Sequence, residues 1–449
     1  MVHVPSPDSK TTSPRWGSPP TRALPDRRQR SSAVGSPTLA RAPCTPKGKP
    51  GPGEGLQNMS HAKVVLKRAH RYDEGEIRSS VAEAIAAIGS LRALVRPGAK
   101  VFVKVNHLSP PSPPERGIIT HPAFTGAVLS VLKEVTPHIT VGDDLHPSSP
   151  DGFEVSGYRK MCARLGIRLI NLREIGFKRV EITGKVLNEV YLAQALLEAD
   201  VIVNLPKLKT HSLTLLTGAV KNLYGAIPGG LRTAYHGQYK DPTEFNQVLV
   251  DIFAAARPHL TIMDGIVAME GAGPANGVPR EVGVILASQD GVAVDAVAAR
   301  IIGLDPLAVP TIRCAHERGV GRGVMSEIEI VRDQLPHVSP FRLPPLPVGE
   351  IVGRAPRFLT RFLTGQLSAR PQVVRRSCVG CGACARICPT GAATVAKGKA
   401  RIDRRTCIRC MCCHEACRFD AIALQRSALG HLLRPFAHRQ RRARHRARG

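Results

Sequence analysis

From residue 63 to residue 331 the chain alternates short apolar runs with stretches whose apolar residues recur every three or four positions. Runs of strand type cover 63–69, 100–106, 138–142, 168–172, 200–205, 260–264, 282–287 and 328–331. Helical spacing covers 81–95, 122–134, 214–224, 243–256 and 292–302. Strands that alternate with helices pack as a sheet whose two faces are both covered. The expected fold class is therefore α/β, a mostly parallel sheet with helices on both faces, in a segment spanning 59–350. That length suffices for a sizeable core.

Outside this segment the pattern changes. Residues 1–58 are rich in Pro, Ser, Gly and Arg and have no apolar periodicity, the composition of a disordered segment. They hold no apolar stretch behind a basic start, so they do not read as a secretory signal. Met59-Ser60-His61 stands just before the first strand-type run, which makes Met59 a candidate start. Residues 351–370 form a basic linker. Within it, Phe358, Leu359, Phe362, Leu363 and Leu367 alternate with Arg357 and Arg361 as on an amphipathic helix, expected to dock on the large domain. Residues 426–449 are an Arg-rich tail, expected to be solvated.

The net charge of +28 points to nucleic acid until it is located. Lys and Arg less Asp and Glu gives +6 for 1–58, +3 for 59–352, +6 for 353–377, +5 for 378–417 and +8 for 418–449. The α/β segment is close to neutral. Arginines in tails without interleaved aromatics confer little specificity, so no specific nucleic-acid partner is expected. No run approaches the apolar length of a transmembrane helix.

Polar residues cluster where the strand-type runs end. Lys104 and Asn106 close the second and Asp143 and Asp144 the third. Lys207, Lys209 and His211 follow the fifth, with Lys221 and Asn222 further on, and Asp264 closes the sixth, ahead of Glu270. In open α/β sheets ligands bind beyond the carboxyl ends of the strands, so these residues are expected to line one crevice. Lysines there suit an anionic small molecule. His211 is the candidate for proton transfer, with Lys207, Lys209 and Asp264 beside it as catalytic candidates. Lys104, Asn106, Asp143, Lys221 and Asn222 are the ligand-binding candidates. Asp143, Asp144, Asp264, Glu270 and Asp295 could hold a hard cation or act as acid and base, and Asp295 also suits a helix N-terminus. Neither G-x-G-x-x-G nor a Walker sequence occurs.

Eight cysteines near the C-terminus repeat one spacing. Cys378, Cys381, Cys384 and Cys388 read C-x2-C-x2-C-x3-C and are followed by Pro389; Cys407, Cys410, Cys413 and Cys417 repeat the run. A tight loop offers three thiolates to a cubane cluster, and the fourth cysteine serves the cluster of the other run. This gives Cys378, Cys381, Cys384 and Cys417 around one 4Fe-4S cluster and Cys407, Cys410, Cys413 and Cys388 around a second. A zinc site prefers two C-x2-C pairs, and a disulfide framework belongs to secreted chains. Residues 371–425 thus look like a small α+β ferredoxin module of the two-cluster type. Arg418 stands where proline is usual, and its charge would raise a cluster potential. Cys412 is an extra thiol, read as a packed free one. Reducible thiols and oxygen-sensitive clusters point to the cytoplasm.

Over about residues 62–332 the chain resembles the prokaryotic family catalogued as domain of unknown function 362. The matching stretches are Val103-Lys104-Val105-Asn106, Thr120-His121-Pro122, Val141-Gly142-Asp143 and Val203-Asn204-Leu205-Pro206-Lys207-Leu208-Lys209-Thr210-His211. Gly218-Ala219-Val220-Lys221-Asn222-Leu223-Tyr224-Gly225, Met263-Asp264-Gly265 and Ala293-Val294-Asp295-Ala296-Val297-Ala298 continue the series. Members often carry a C-terminal ferredoxin module, so the resemblance implies this architecture but no chemistry. Two classes of function stay open. In the first, two clusters pass electrons between an unknown redox partner and a ligand at the strand ends, as in an oxidoreductase or its subunit. In the second, a non-catalytic protein binds an anion or a partner, and its clusters are structural or redox-sensing.

Overall fold

The computed structural model describes residues 61–108, 112–145, 151–333, 336, 338–344 and 369–425. The expectations for residues 1–58, for Met59, for the basic pattern at 356–367 and for the tail at 426–449 fall outside the described residues.

Twelve strands precede the cysteine-rich region: β1 (Ala62–Arg68), β2 (Val101–Val105), β3 (Ile139–Asp143), β4 (Arg168–Asn171), β5 (Phe177–Glu181), β6 (Glu189–Ala193), β7 (Val201–Leu205), β8 (Lys207–His211), β9 (Leu215–Leu216), β10 (Leu260–Ala272), β11 (Asn276–Ser288) and β12 (Ile328–Arg332). Ten of them form one sheet of order β12-β1-β11-β10-β7-β2-β3-β4, with β8 beside β10 and β9 beside β8. Along the main path all pairings are parallel except those of β11 with β1 and with β10. The protein is thus an α/β fold with a mostly parallel central sheet.

Side chains that alternate along each strand feed two cores. Leu66, Phe102, Ile202 and Leu286 face one, under the helices Pro242–Ala256, Gly291–Ile301 and Pro310–Glu317. Val65, Val103, Val203 and Ile285 face the other, under Glu74–Ile88, Pro122–Leu132 and Tyr158–Leu165. Three of these helices begin where an aspartate caps the first turn: Asp73, Asp241 and Asp290 each accept from backbone N–H groups of the following residues. Among the described residues, no helix is long and apolar enough to cross a membrane.

Four elements differ from the expectations. The helix expected at 81–95 begins at Glu74 and breaks at Gly89, before a short turn Leu91–Leu94. The stretch 214–224 holds β9, the helix Gly218–Asn222 and a 3-10 turn Leu223–Ala226, because Leu215 and Gly218 both take left-handed φ values (69° and 57°). Lys207–His211 is a strand rather than a loop; Lys207, Lys209 and His211 alternate with Leu208 and Thr210, and all five are buried. The strands expected at 260–264 and 282–287 are each 13 residues long and form a hairpin that extends past the sheet edge. Asp264 therefore lies within β10 and not at its end.

Asp295 does not complement the start of its own helix, which Asp290 caps. Its carboxylate accepts from Ala219 N at 2.5 Å and Val220 N at 3.0 Å, fixing the helix Gly218–Asn222 that carries Lys221 and Asn222. A Cβ on Gly218 would overlap this carboxylate, and its φ of 57° already disfavours a side chain. Gly218→Ala is expected to cost about 2–4 kcal/mol, the sum of overpacking and a left-handed non-glycine residue. Chemical denaturation of the two proteins measures it, and a loss below about 0.5 kcal/mol would be the yield of an ordinary surface change instead.

Candidate functional site

Beyond the carboxyl ends of β2, β3 and β7, three lysines end in the protein interior. Lys104, Lys207 and Lys209 are each at most 1% exposed. An ammonium without water must find ligands inside the protein. Lys104 Nζ lies 2.8 Å from Asp143 Oδ1 and donates to Val105 O at 2.7 Å. Lys207 Nζ donates to Asp264 Oδ2 at 2.7 Å and to Tyr72 OH at 2.6 Å, and Tyr72 in turn donates to Asp264 Oδ1 at 2.9 Å. The His121 ring stacks on Tyr72 at 3.6 Å, and its backbone N–H donates to Asp264 Oδ2. Burial lowers the pKa of both Lys104 and Lys207, and their carboxylate partners oppose the shift.

Lys209 is held differently. Its Nζ donates to Asn106 Oδ1 at 2.9 Å and to Ile118 O at 2.5 Å, both neutral acceptors. Among the described residues no carboxylate lies within ion-pair distance of it. Burial, reinforced by the charge of Lys221, brings its pKa from 10.5 down to about 7. Asn106 also donates to Asn222 Oδ1 at 3.0 Å, and Asn222 donates to Asn204 Oδ1 at 2.8 Å. An amide chain thus joins β2, β7 and the helix Gly218–Asn222 behind Lys209.

His211 sits two residues along the same strand face, 1% exposed. Its Nδ1 accepts from Leu213 N at 3.0 Å and from Thr214 N at 3.4 Å, so the ring proton is on Nε2. Burial and the neighbouring Lys221 and Lys209 push its pKa well below 6.5. At neutral pH it is a neutral donor, which corrects its expected role as a group that titrates near neutrality. The expectation of an open carboxylate for a hard cation is likewise corrected. Asp144 binds Arg173 at 2.7 Å and Arg232 at 2.5 Å, and Glu270 binds Arg280 and Arg342 at 2.6 and 2.7 Å, so each acid of the set is already engaged.

The cysteine-rich residues 369–425 fold as two short hairpin-like pairs, β13 (Arg370–Val373) with β16 (Ile422–Gln425) and β14 (Ala393–Ala396) with β15 (Lys399–Ile402). The two cysteine loops share a backbone. Left-handed φ values occur at Gly380, Gly382 and Gly391 in the first and at Arg409, Met411 and Asp420 at the equivalent places of the second. Non-glycine residues adopt that region at a cost, so the repeated loop geometry is imposed by what surrounds it. Cys388, Cys407, Cys410 and Cys413 line one cavity together with Pro371, Ile402 and Met411. Cys388 of the first run thus stands beside Cys407, Cys410 and Cys413 of the second. Burial raises the Cys384 thiol above its ordinary range, and the Ala385 N–H opposes the rise.

The cysteine region sits over the lysines. His414, 1% exposed, places Nε2 3.1 Å from Ala272 O of β10 and Nδ1 2.6 Å from Ile422 O. Glu415 projects into the crevice, Oε1 lying 3.4 Å from His211 Nε2, and both atoms are buried without a hydrogen bond. Burial raises the Glu415 pKa, and Lys221, His414 and Lys209 oppose that rise. Cys412 is a buried free thiol, as expected. Lys104, Asn106, Asp143, Lys207, Lys209, His211, Lys221, Asn222 and Asp264 thus belong to adjoining buried networks. The sequence reading missed Tyr72, Arg232 and Glu415, since isolated residues in loops and helices carry no motif.

The sequence model of the family described as Domain of unknown function (DUF362) matches residues 101–300, and that of a 4Fe-4S binding domain matches residues 371–394. The latter match makes the chain an iron–sulfur protein that binds a 4Fe-4S cluster. The protein named thylakoid-associated protein sll1697, from Synechocystis sp., is 35% identical over 259 residues, which span 57% of this chain and 79% of that protein. The lactate racemase apoprotein from Thermoanaerobacterium thermosaccharolyticum aligns with a TM-score of 0.36 at 13% identity, over 57% of this chain and 60% of that one.

Lys209 generates a pH prediction. Its folded pKa of about 7 lies below the ordinary 10.5, so between these values the unfolded chain binds the extra proton. Stability therefore rises with pH across that window and is flat below it. Relative to Lys209→Met, the wild type should gain up to about 1.4 kcal/mol per pH unit between pH 7 and pH 10.5. Equal slopes for the two proteins in melts across that range would assign Lys209 an ordinary pKa.

Proposed function

The chain belongs to the family described as a domain of unknown function (DUF362), and from that membership and the site above we propose an oxidoreductase, or an oxidoreductase subunit, acting on an anionic small molecule. The observation that carries this reading is the shared buried seam, where Glu415 of the cysteine region meets His211 at 3.4 Å. A 4Fe-4S centre used only for folding has no need to be set against a lysine-lined crevice.

We assign two clusters, held by Cys378, Cys381, Cys384 and Cys417 and by Cys407, Cys410, Cys413 and Cys388. The repeated backbone of the two loops and the thiol-lined cavity of the second set support the assignment. When bound, such clusters supply one-electron transfer. The chain's own residues supply the rest. Lys209 and Lys221 hold the ligand's anionic group, and His211 Nε2–H donates to it. Lys209 is the proton donor, since a pKa of about 7 lets it give and regain a proton at neutral pH. Lys207 and Lys104, neutralised by Asp264 and Asp143, keep β8 and β2 in place. Removing either carboxylate leaves a buried unpaired ammonium.

Anaerobic reconstitution should yield about eight irons and eight sulfides per chain, and Cys407→Ala about half of that. About four irons in the wild type would remove the second cluster. The reduced chain should then be oxidised by some member of a panel of carboxylates and phosphate esters. His211→Ala should slow that oxidation by about 100-fold at unchanged iron content. A panel that oxidises both proteins at the same rate would overturn the site.

A further inference from the structure

The cysteine region has an inner face, buried against the strand ends, and an outer face of different character. Residues 369–425 contain eleven lysines and arginines and three acids. Of the three acids, only Asp403 presents an exposed carboxylate without an ion pair among the described residues. Glu415 is buried beside His211, Asp420 lies 3.5 Å from Arg116, and Asp403 accepts from Arg405 N and Thr406 Oγ1 at 3.0 Å each. The cations converge on the first cysteine loop. Lys399 Nζ donates to Cys378 O at 2.6 Å and Arg386 Nη1 to Cys381 O at 3.1 Å. The turn at Lys397 and Gly398 abuts Gly380 so closely that a Cβ on Gly380 would overlap Gly398 O. Within this ring Cys381 is exposed, Val379 is 58% exposed and Val395 is 39% exposed.

An exposed apolar centre at a thiol loop, bordered by the positive charge of Arg386, Lys397 and Lys399, has the anatomy of a transient redox interface. We infer that this outer face docks a small acidic one-electron carrier protein of the flavodoxin type, whose carboxylates meet the cations around Val379 and Cys381. The inference rests on the reading of the cysteine region as an electron relay. In each encounter the carrier is oxidised by one electron and the iron of the first cluster is reduced by one; no bond forms or breaks and no proton is required. Charge complementarity of this kind acts on encounter rate and orientation and weakens as salt screens it.

The test measures binding of an acidic flavodoxin to the cluster-loaded chain by fluorescence anisotropy at 50 and 300 mM salt, with basic cytochrome c as the opposite-charge control. The expected result is at least about tenfold weaker flavodoxin binding at the higher salt, and a similar loss for Lys397→Glu combined with Arg386→Glu, with iron content unchanged. Arg375→Glu, an exposed charge beside Cys378, repeats the comparison should the double variant lose iron. Flavodoxin affinity insensitive to salt and to charge reversal, or equal binding of cytochrome c, overturns the docking face. Reduction by dithionite separates the two readings. Iron that dithionite reduces leaves the relay standing whatever flavodoxin does; iron that dithionite cannot reduce removes the relay and this inference with it.

Discussion

Three ammonium groups without access to water set the architecture of the strand-end crevice. Each must be ligated from within, and each solution uses a different part of the chain. Lys104 draws Asp143 across from β3, Lys207 draws Asp264 from β10 and Tyr72 from the first helix's entry, and Lys209 is left with amide and carbonyl oxygens alone. The parallel strands matter because they end side by side and bring these groups into reach of one another. The same demand explains why Gly225 packs directly over the Lys104–Asp143 pair, where a Cβ would come within 2.7 Å of both charged atoms.

The outline of this arrangement is legible in the sequence. Period-two and period-3.6 patterns give the parallel strands and the covering helices, and the cysteine spacing marks the 4Fe-4S binding domain. Lys207–His211 shows why the rest was less legible. Its alternation of polar and apolar residues is that of a strand, but three charged or polar side chains facing inward contradict the ordinary hydrophobic rule, so it reads as a loop. Asp264 was misplaced for a related reason. Gly265 resembles a strand terminator, whereas β10 passes through it with an irregularity in register and continues to Ala272. Arg232, Tyr72 and Glu415 leave no trace in local pattern, because their partners lie far away in sequence.

The cysteine region completes the crevice and also closes it. His414 bonds to the β10–β11 hairpin, which extends past the sheet edge to meet it, and Pro389 rests against Gly237. The extended hairpin is therefore the scaffold on which the two parts of the chain register. Its length, unexpected from the apolar runs alone, has a structural use.

The position of Glu415 has a thermodynamic corollary. Its carboxylate is an intramolecular counter-ion, seated among Lys209, Lys221 and His211 yet unsatisfied at Oε1. A free anion entering that space contends with a carboxylate carried on the same polypeptide. For the anionic ligand proposed above, seating of the cysteine region and occupancy of the crevice would be linked equilibria, and linkage is reciprocal: whatever factor one loses to the other, the other loses to it. Each tenfold preference in that competition would correspond to about 1.4 kcal/mol, so the turn Cys412–Glu415 would report how full the crevice is.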